Sequence, residues 1–218
     1  MPRRVPPASA SVAHSGPGKK MSAPAAERNT DALCDLLAQF APSVGTALEI
    51  ASGTGQHIVR FAKVCNGLQW QPTDVDPKRL SSINAYAADA RCANLAPAVI
   101  LDATAPGWRA QHPDQSLIVL VNLLHLISET EAKTLIAEAA SALAPGGVFI
   151  IYGPFMRSGE LTSDGDRSFH ASLQAQDSEI GYKDDFETLE TAFATGLHLR
   201  DVIEMPANNL VLVMFRPA

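Results

Sequence analysis

The run Leu48-Glu49-Ile50-Ala51-Ser52-Gly53-Thr54-Gly55 has the residue types of a ligand-binding turn. Ala51, Gly53 and Gly55 are small enough for a bound molecule to approach the backbone closely. The apolar stretch Gly45 to Ile50 reads as a short buried strand. Ile58, Phe61, Ala62 and Cys65 then follow at helical spacing. In a doubly wound sheet such a strand-to-helix turn faces the ligand crevice. A tight turn without a ligand would use the same residues. The pattern does not suit a dinucleotide. Counted from Gly53 and Gly55, the fingerprint G-x-G-x-x-G needs a third Gly where Ile58 stands. Glu49 would also point a carboxylate at the pyrophosphate. An acid at that strand end suits a ligand with an ammonium group and no phosphate.

Two more acids follow the next two strands: Asp74 in Thr73-Asp74-Val75-Asp76-Pro77, and Asp102 in Leu101-Asp102-Ala103. Asp76 reads as a helix cap ahead of Pro77. With these acids, Glu49-x-Ala51-x-Gly53-x-Gly55 resembles the E/D-x-G-x-G-x-G motif of class I S-adenosylmethionine-dependent methyltransferases, Ala51 replacing the first Gly. The resemblance implies S-adenosyl-L-methionine as cofactor. It places Asp74 at the ribose hydroxyls, as an exposed, ionised acceptor, and Asp102 with Ala103 near the adenine. Asn122 and His125 fall where the methyl group would sit. His125, with an ordinary pKa near 6.5, is a candidate general base or a structural histidine. Tyr152 is a candidate for positioning an acceptor or meeting the sulfonium through its ring, or a half-buried strand tyrosine. Arg28 is a candidate partner of the cofactor carboxylate, or a surface charge. Asn208 and Asn209 are candidate substrate contacts, or turn formers. The other histidines show no metal-ligand spacing, and no metal is expected.

A narrower resemblance spans residues 22–216. Ala26-Glu27-Arg28-Asn29, Leu48 to His57, Trp70 to Asp74, Asn122-Leu-Leu-His125, Tyr152-Gly-Pro-Phe155 and Met205 to Leu210 are together similar to the methyltransferase-like protein 26 family. It implies a methyltransferase fold and names no substrate. The segment Ser163 to Phe169 departs from the Ser-Asn that related chains tend to carry, which leaves the lid contacts open.

These residues need a scaffold, and the pattern supplies one. Strand segments 45–50, 68–73, 97–101, 116–122 and 148–152 alternate with helical ones. Such alternation means an α/β parallel sheet. Segments 197–204 and 209–215, joined by Met205 to Asn208, form an antiparallel hairpin. The expected fold is Rossmann-like, with a mostly parallel seven-stranded sheet and a C-terminal antiparallel hairpin. Leu33, Leu36, Leu37 and Phe40 share one helical face, with Asn29 or Thr30 as cap. Ser128 and Glu131 form a capping box. Asp184 and Glu187 cap a helix with Phe186, Leu189 and Phe193 on one face. Residues 154–182 are polar and irregular, with a short helix over 168–173, and read as a lid.

Composition bounds the rest. At 218 residues, 46% hydrophobic, the chain makes one ordinary domain with a full core. Residues 1–20 hold Arg3, Arg4, Lys19 and Lys20 and no acid, so a net charge of −6 leaves −10 on the remainder. They read as a disordered basic tail, an organellar presequence or a start placed ahead of Met21, and residues 21–218 as the methyltransferase domain. On this reading the tail is dispensable for stability and cofactor binding. The acidic balance argues against a nucleic-acid partner. No run of about 18 apolar residues exists, which argues against a membrane partner. Cys34, Cys65 and Cys92 form no C-x-x-C and read as buried thiols of a cytoplasmic protein. The expected activity is methyl transfer to a small molecule. The alternatives are a non-catalytic cofactor-binding module, a protein methyltransferase and a nicotinamide-dependent oxidoreductase.

Overall fold

The computed structural model describes residues 12–16 and 18–218. Residues 1–11 and 17 of the expected tail lie outside the described residues. A short antiparallel ladder, β1 (His14–Ser15) on β2 (Met21–Ser22), spans the boundary expected at residue 20. Side-chain contacts fix this segment. Lys20 pairs with Asp89 and lies 4.7 Å from the Tyr86 ring centre, and Met21 N donates to Ser82 Oγ at 2.8 Å.

The main sheet contains β3 (Gly45–Ile50), β4 (Leu68–Asp74), β5 (Val99–Ile100), β6 (Gln115–Val121), β7 (Leu143–Met156), β9 (His198–Met205) and β10 (Asn209–Phe215), in the order β5-β4-β3-β6-β7-β10-β9. β8 (Lys183–Asp184) pairs in parallel with the end of β7. β3 to β7 run parallel, and β10 is antiparallel to both β7 and β9. The seven expected strands and the hairpin are therefore present. β7 is longer than expected and carries the chain to Met156, where β8 pairs with its end.

Strand residues alternate between two cores. Leu48, Ile118 and Leu120 face one layer, with Leu135, Ile136 and Ala139 of α4 (Glu129–Ala142) and Leu189 and Ala192 of α6 (Asp185–Ala194). Ala47, Leu117 and Val119 face the other, with α1 (Pro24–Phe40), α2 (Gln56–Val64) and Ile83 of α3 (Pro77–Ala90). The cap of α3 by Asp76 and the Ser128–Glu131 capping box form as expected.

Three local expectations change. α1 begins at Pro24 with no side-chain cap, so Asn29 and Thr30 lie buried inside it. Proline suits a first helical position, which moves the start upstream. On α6 the buried face is Thr188, Leu189 and Ala192, while Phe186 and Phe193 are 58% and 48% exposed. α5 (Asp164–Gln176) is twice the expected length, because the Ser163 side chain caps it at Asp166 N.

Order reverses at β3: β4 and β5 lie to one side, β6 and β7 to the other. The crevice opens above that switch point. The β3–α2 turn there uses left-handed backbone at Ala51 (φ 54), Gly53 (φ 60) and Gly55 (φ 90). A Cβ on Gly55 would lie 2.7 Å from Ile83 Cα, whereas one on Gly53 meets nothing closer than 3.5 Å. Gly55 thus seats α2 on α3, and Gly53 keeps the crevice floor low. Gly53→Ala should cost only the left-handed penalty, about 1–2 kcal/mol. Gly55→Ala should cost roughly 1–3 kcal/mol more through overpacking. Denaturant unfolding of the two variants side by side checks the ranking.

Candidate active site

A cavity of about 850 Å³ opens at the carboxyl ends of β3, β4, β6 and β7. Glu49, Ala51, Ser52 and Gly53 line it from the β3 turn, and Asp74 and Asp76 from the end of β4. Asn122, Leu123 and His125 follow β6, and Tyr152 and Pro154 come from β7. Arg28 and Asn29 of α1, Phe169 of α5 and Tyr182 before β8 complete the walls. Glu49, Ala51, Gly53, Asp74, Asn122, Arg28, His125, Tyr152 and Asn209, all singled out in the sequence, thus share one cavity.

The turn is stitched to β4. Ser52 N donates to Thr73 O at 2.7 Å, Thr73 Oγ1 to Glu49 O at 2.8 Å, and Gly53 N to Asp74 Oδ2 at 3.0 Å. Asp76 N donates to Asp74 Oδ1 at 3.0 Å. Asp74 is only 3% exposed, so the exposed acceptor expected from sequence is instead a buried one, raised in pKa by burial and restrained by these N–H groups and Arg79. The carboxylate keeps acceptor capacity beyond these backbone donors for a ligand hydroxyl.

Glu49 is 1% exposed, and its Oε2 has no hydrogen-bond partner. Burial pushes its pKa up to about 8; a Ser52 hydrogen bond opposes the shift and the Asp74 charge adds to it. The carboxyl is therefore mostly protonated near neutrality.

The opposite wall is aromatic. His125 is 4% exposed, and its ring lies edge-on to Phe169 and Tyr182, at 5.7 and 6.3 Å between centres. Burial and then the Lys183 charge hold its pKa near 3. It is neutral at any physiological pH and a poor proton store, which removes the general base with an ordinary pKa expected from sequence. Tyr152 is buried and bonded through its hydroxyl to Asn29; burial raises its pKa, against Asn29 and Arg28. Asn29 also meets His57 Nε2 at 2.7 Å.

Four expected contacts do not reach the cavity. Asp102 closes on its own turn, accepting from Thr104 N at 3.0 Å and Thr104 Oγ1 at 2.6 Å. Ala103 is buried beneath Trp108, whose Nε1 donates to its carbonyl at 3.1 Å. Asn208 turns to α5, donating to Thr162 Oγ1 at 2.6 Å and to Asp166. Gly55 supports the floor from beneath and is likewise absent from the lining. Conversely, Asn29, His57, Phe169 and Tyr182 were given no role in the site from sequence. Their partners are distant in sequence, and no local spacing announces them. Val12 and Ala13 also line the cavity, inside the segment expected to be dispensable.

The family model described as a protein of unknown function, DUF938, matches residues 20–216. The chain belongs to that family. Among solved structures, an O-methyltransferase family protein from Burkholderia thailandensis superposes with a TM-score of 0.76 at 15% identity, over 89% of this chain and 58% of that one. An O-methyltransferase family 2 protein from Planctomyces limnophilus, in complex with apigenin, gives 0.70 at 18% identity, over 88% and 62%. Human N-acetylserotonin methyltransferase, in complex with S-adenosylmethionine, gives 0.69 at 12% identity, over 89% and 53%. At these identities the likeness is one of fold. The chain spans little more than half the length of these relatives.

Glu49 yields a sign-specific expectation. Its folded pKa of about 8 lies above the ordinary 4.5. The stability it contributes is therefore complete below the ordinary value and is lost as pH rises through 8. Glu49→Gln does not titrate. Between about pH 5 and about pH 8, the stability of Glu49→Gln relative to the parent should rise by about 3 kcal/mol in the ligand-free protein. Denaturant unfolding of both proteins at the two pH values checks it.

Proposed function

We propose that this protein transfers a methyl group from S-adenosylmethionine to a small molecule. The observation that carries the reading is the unpartnered Glu49 Oε2 in the cavity wall. A buried acceptor without a donor is costly. An ammonium group supplies both donor and compensating charge. A pyrophosphate would supply neither.

The remaining residues fit the same cofactor. Asp74 would accept from the ribose hydroxyls with its remaining acceptor capacity. Arg28 would pair with the cofactor carboxylate. Gly53 would let the ligand lie close to the turn. When bound, the cofactor supplies a methyl group on a sulfonium centre. The protein's part is to bind, align and exclude water. Phe169 and Tyr182, which line the cavity, would contribute to that exclusion. Small-molecule methyltransferases among the proteins of like fold support the small-molecule reading. The free thiols Cys34, Cys65 and Cys92 fit a cytoplasmic enzyme, and no helix among the described residues is long and apolar enough to cross a membrane.

Calorimetry should show binding of S-adenosylhomocysteine and no binding of NAD. The reverse preference would overturn the reading in favour of an oxidoreductase. Binding without release of S-adenosylhomocysteine from the methylated cofactor, in the presence of a cell extract, would reduce the protein to a binding module. Labelled methyl recovered on protein would mark a macromolecular acceptor.

The two aspartates should separate. Asp74→Asn should weaken S-adenosylhomocysteine roughly ten- to hundred-fold, the worth of hydrogen bonds to a charged acceptor. Asp102→Asn, turned onto Thr104, should change affinity less than about three-fold. Equal losses in both would return Asp102 to the site.

A further inference from the structure

His125 Nδ1 is fully buried and has no hydrogen-bond partner. Among the described residues no hydrogen bond engages Nε2 either, yet Nε2 is not among the buried unpartnered atoms, so it is the ring nitrogen that opens on the cavity. A neutral imidazole carries one proton. Nδ1 has no partner as donor or as acceptor, so what separates the two tautomers is a nearby cation, which favours a lone pair over an N–H at the buried nitrogen. That cation is Lys183, 3% exposed, whose Nζ donates to Ile127 O at 2.7 Å and Gly181 O at 2.9 Å. Gly181 N in turn donates to His125 O at 3.1 Å, which ties the lysine's anchor to the histidine. The proton therefore belongs on Nε2.

The other titratable groups around the ring do not reverse this. Tyr182 is engaged through its hydroxyl with Asp166 at 3.1 Å. Asp166 also accepts from Ser163 and Asn208, so its charge is committed to three donors away from the ring. His170 accepts the Tyr182 backbone N–H at 3.1 Å. No carboxylate lines the cavity on the side built by β6, β7 and α5, whereas Glu49, Asp74 and Asp76 line the other.

We infer that His125 meets the methyl acceptor as a hydrogen-bond donor through Nε2–H, with Lys183 as the positioning residue that fixes this tautomer. The cavity then selects a flat molecule whose reactive oxygen is ionised, a phenolate or comparable enolate. Phe169 and Tyr182 supply edges against a planar ring. Nε2–H and the lysine charge behind it stabilise an oxyanion. The inference rests on the methyltransferase reading. Methyl transfer to such an oxygen forms the oxygen–carbon bond as the carbon–sulfur bond breaks. The electron pair stays on sulfur, the negative and positive charges cancel, and no proton is passed to His125.

The test uses 4-nitrophenol, whose ionisation is visible in its absorption spectrum, titrated against the full chain with S-adenosylhomocysteine present. The bound phenol should ionise at a pH at least about one unit below that of free phenol. Its methyl ether should bind at least about ten-fold more weakly. Lys183→Met and His125→Leu should each shrink the downward shift, and Lys183→Arg should restore most of it. A bound phenol that stays neutral, or ionises at higher pH than in solution, overturns the inference; the parent protein alone suffices for this if a variant fails to fold. Failure of the cofactor reading is separate: S-adenosylhomocysteine would then not bind in calorimetry, whatever the phenol does.

Discussion

A carboxyl group that is almost wholly buried needs a partner or a proton, and Glu49 has no partner for Oε2. It stands one residue before the end of β3, the strand at which the sheet's order reverses. Its backbone carbonyl is held by Thr73 Oγ1, and the next residues turn through three left-handed positions into α2. The β3–α2 turn, the end of β4 and the seat of α2 on α3 all hold that carboxyl at the floor of the crevice. A fold stabilised for its own sake would place an apolar residue there. Keeping an acid costs stability wherever it is ionised, a common sacrifice at functional sites.

The second half of the cavity follows a different logic. Its walls carry imidazole, aromatic, aliphatic and amide groups, and the buried Lys183 acts on His125 from outside the lining. Carboxylates at one end and a protected positive field at the other give the cavity a direction. A ligand with a cationic end would settle toward Glu49, and an electron-rich partner would settle toward His125. Such an arrangement needs no strong base in the site.

Much of this scaffold was legible in the sequence. The alternation of strands and helices, the Asp76 cap and the Ser128–Glu131 box depend on neighbours within a few residues, and all are present. The clustering of Glu49, Asp74, His125 and Tyr152 followed from the rule that strand ends share a crevice. What failed depended on distant partners. Asn29 suited a helix cap by type, yet it is a buried bridge between His57 and Tyr152, which come from α2 and β7. Asp102 had the right position after its strand, but Thr104 two residues on captures it. Asn208 is taken by Asp166 and Thr162, contacts made only once α5 docks. The histidine pKa was out of reach for the same reason: burial and Lys183 are properties of the packed chain.

The central claim is that Glu49 awaits a cation. It is tested most directly by counting protons during ligand binding, by calorimetry of S-adenosylhomocysteine in buffers of different ionisation enthalpy near pH 7. A carboxyl with a pKa of about 8 in the empty site must ionise to pair with the ligand ammonium. The account predicts release of close to one proton per ligand bound (about 0.9 for a pKa of 8 at pH 7). Glu49→Gln should bind more weakly and release none. Binding with no proton released, and with the same affinity in Glu49→Gln, would contradict the account.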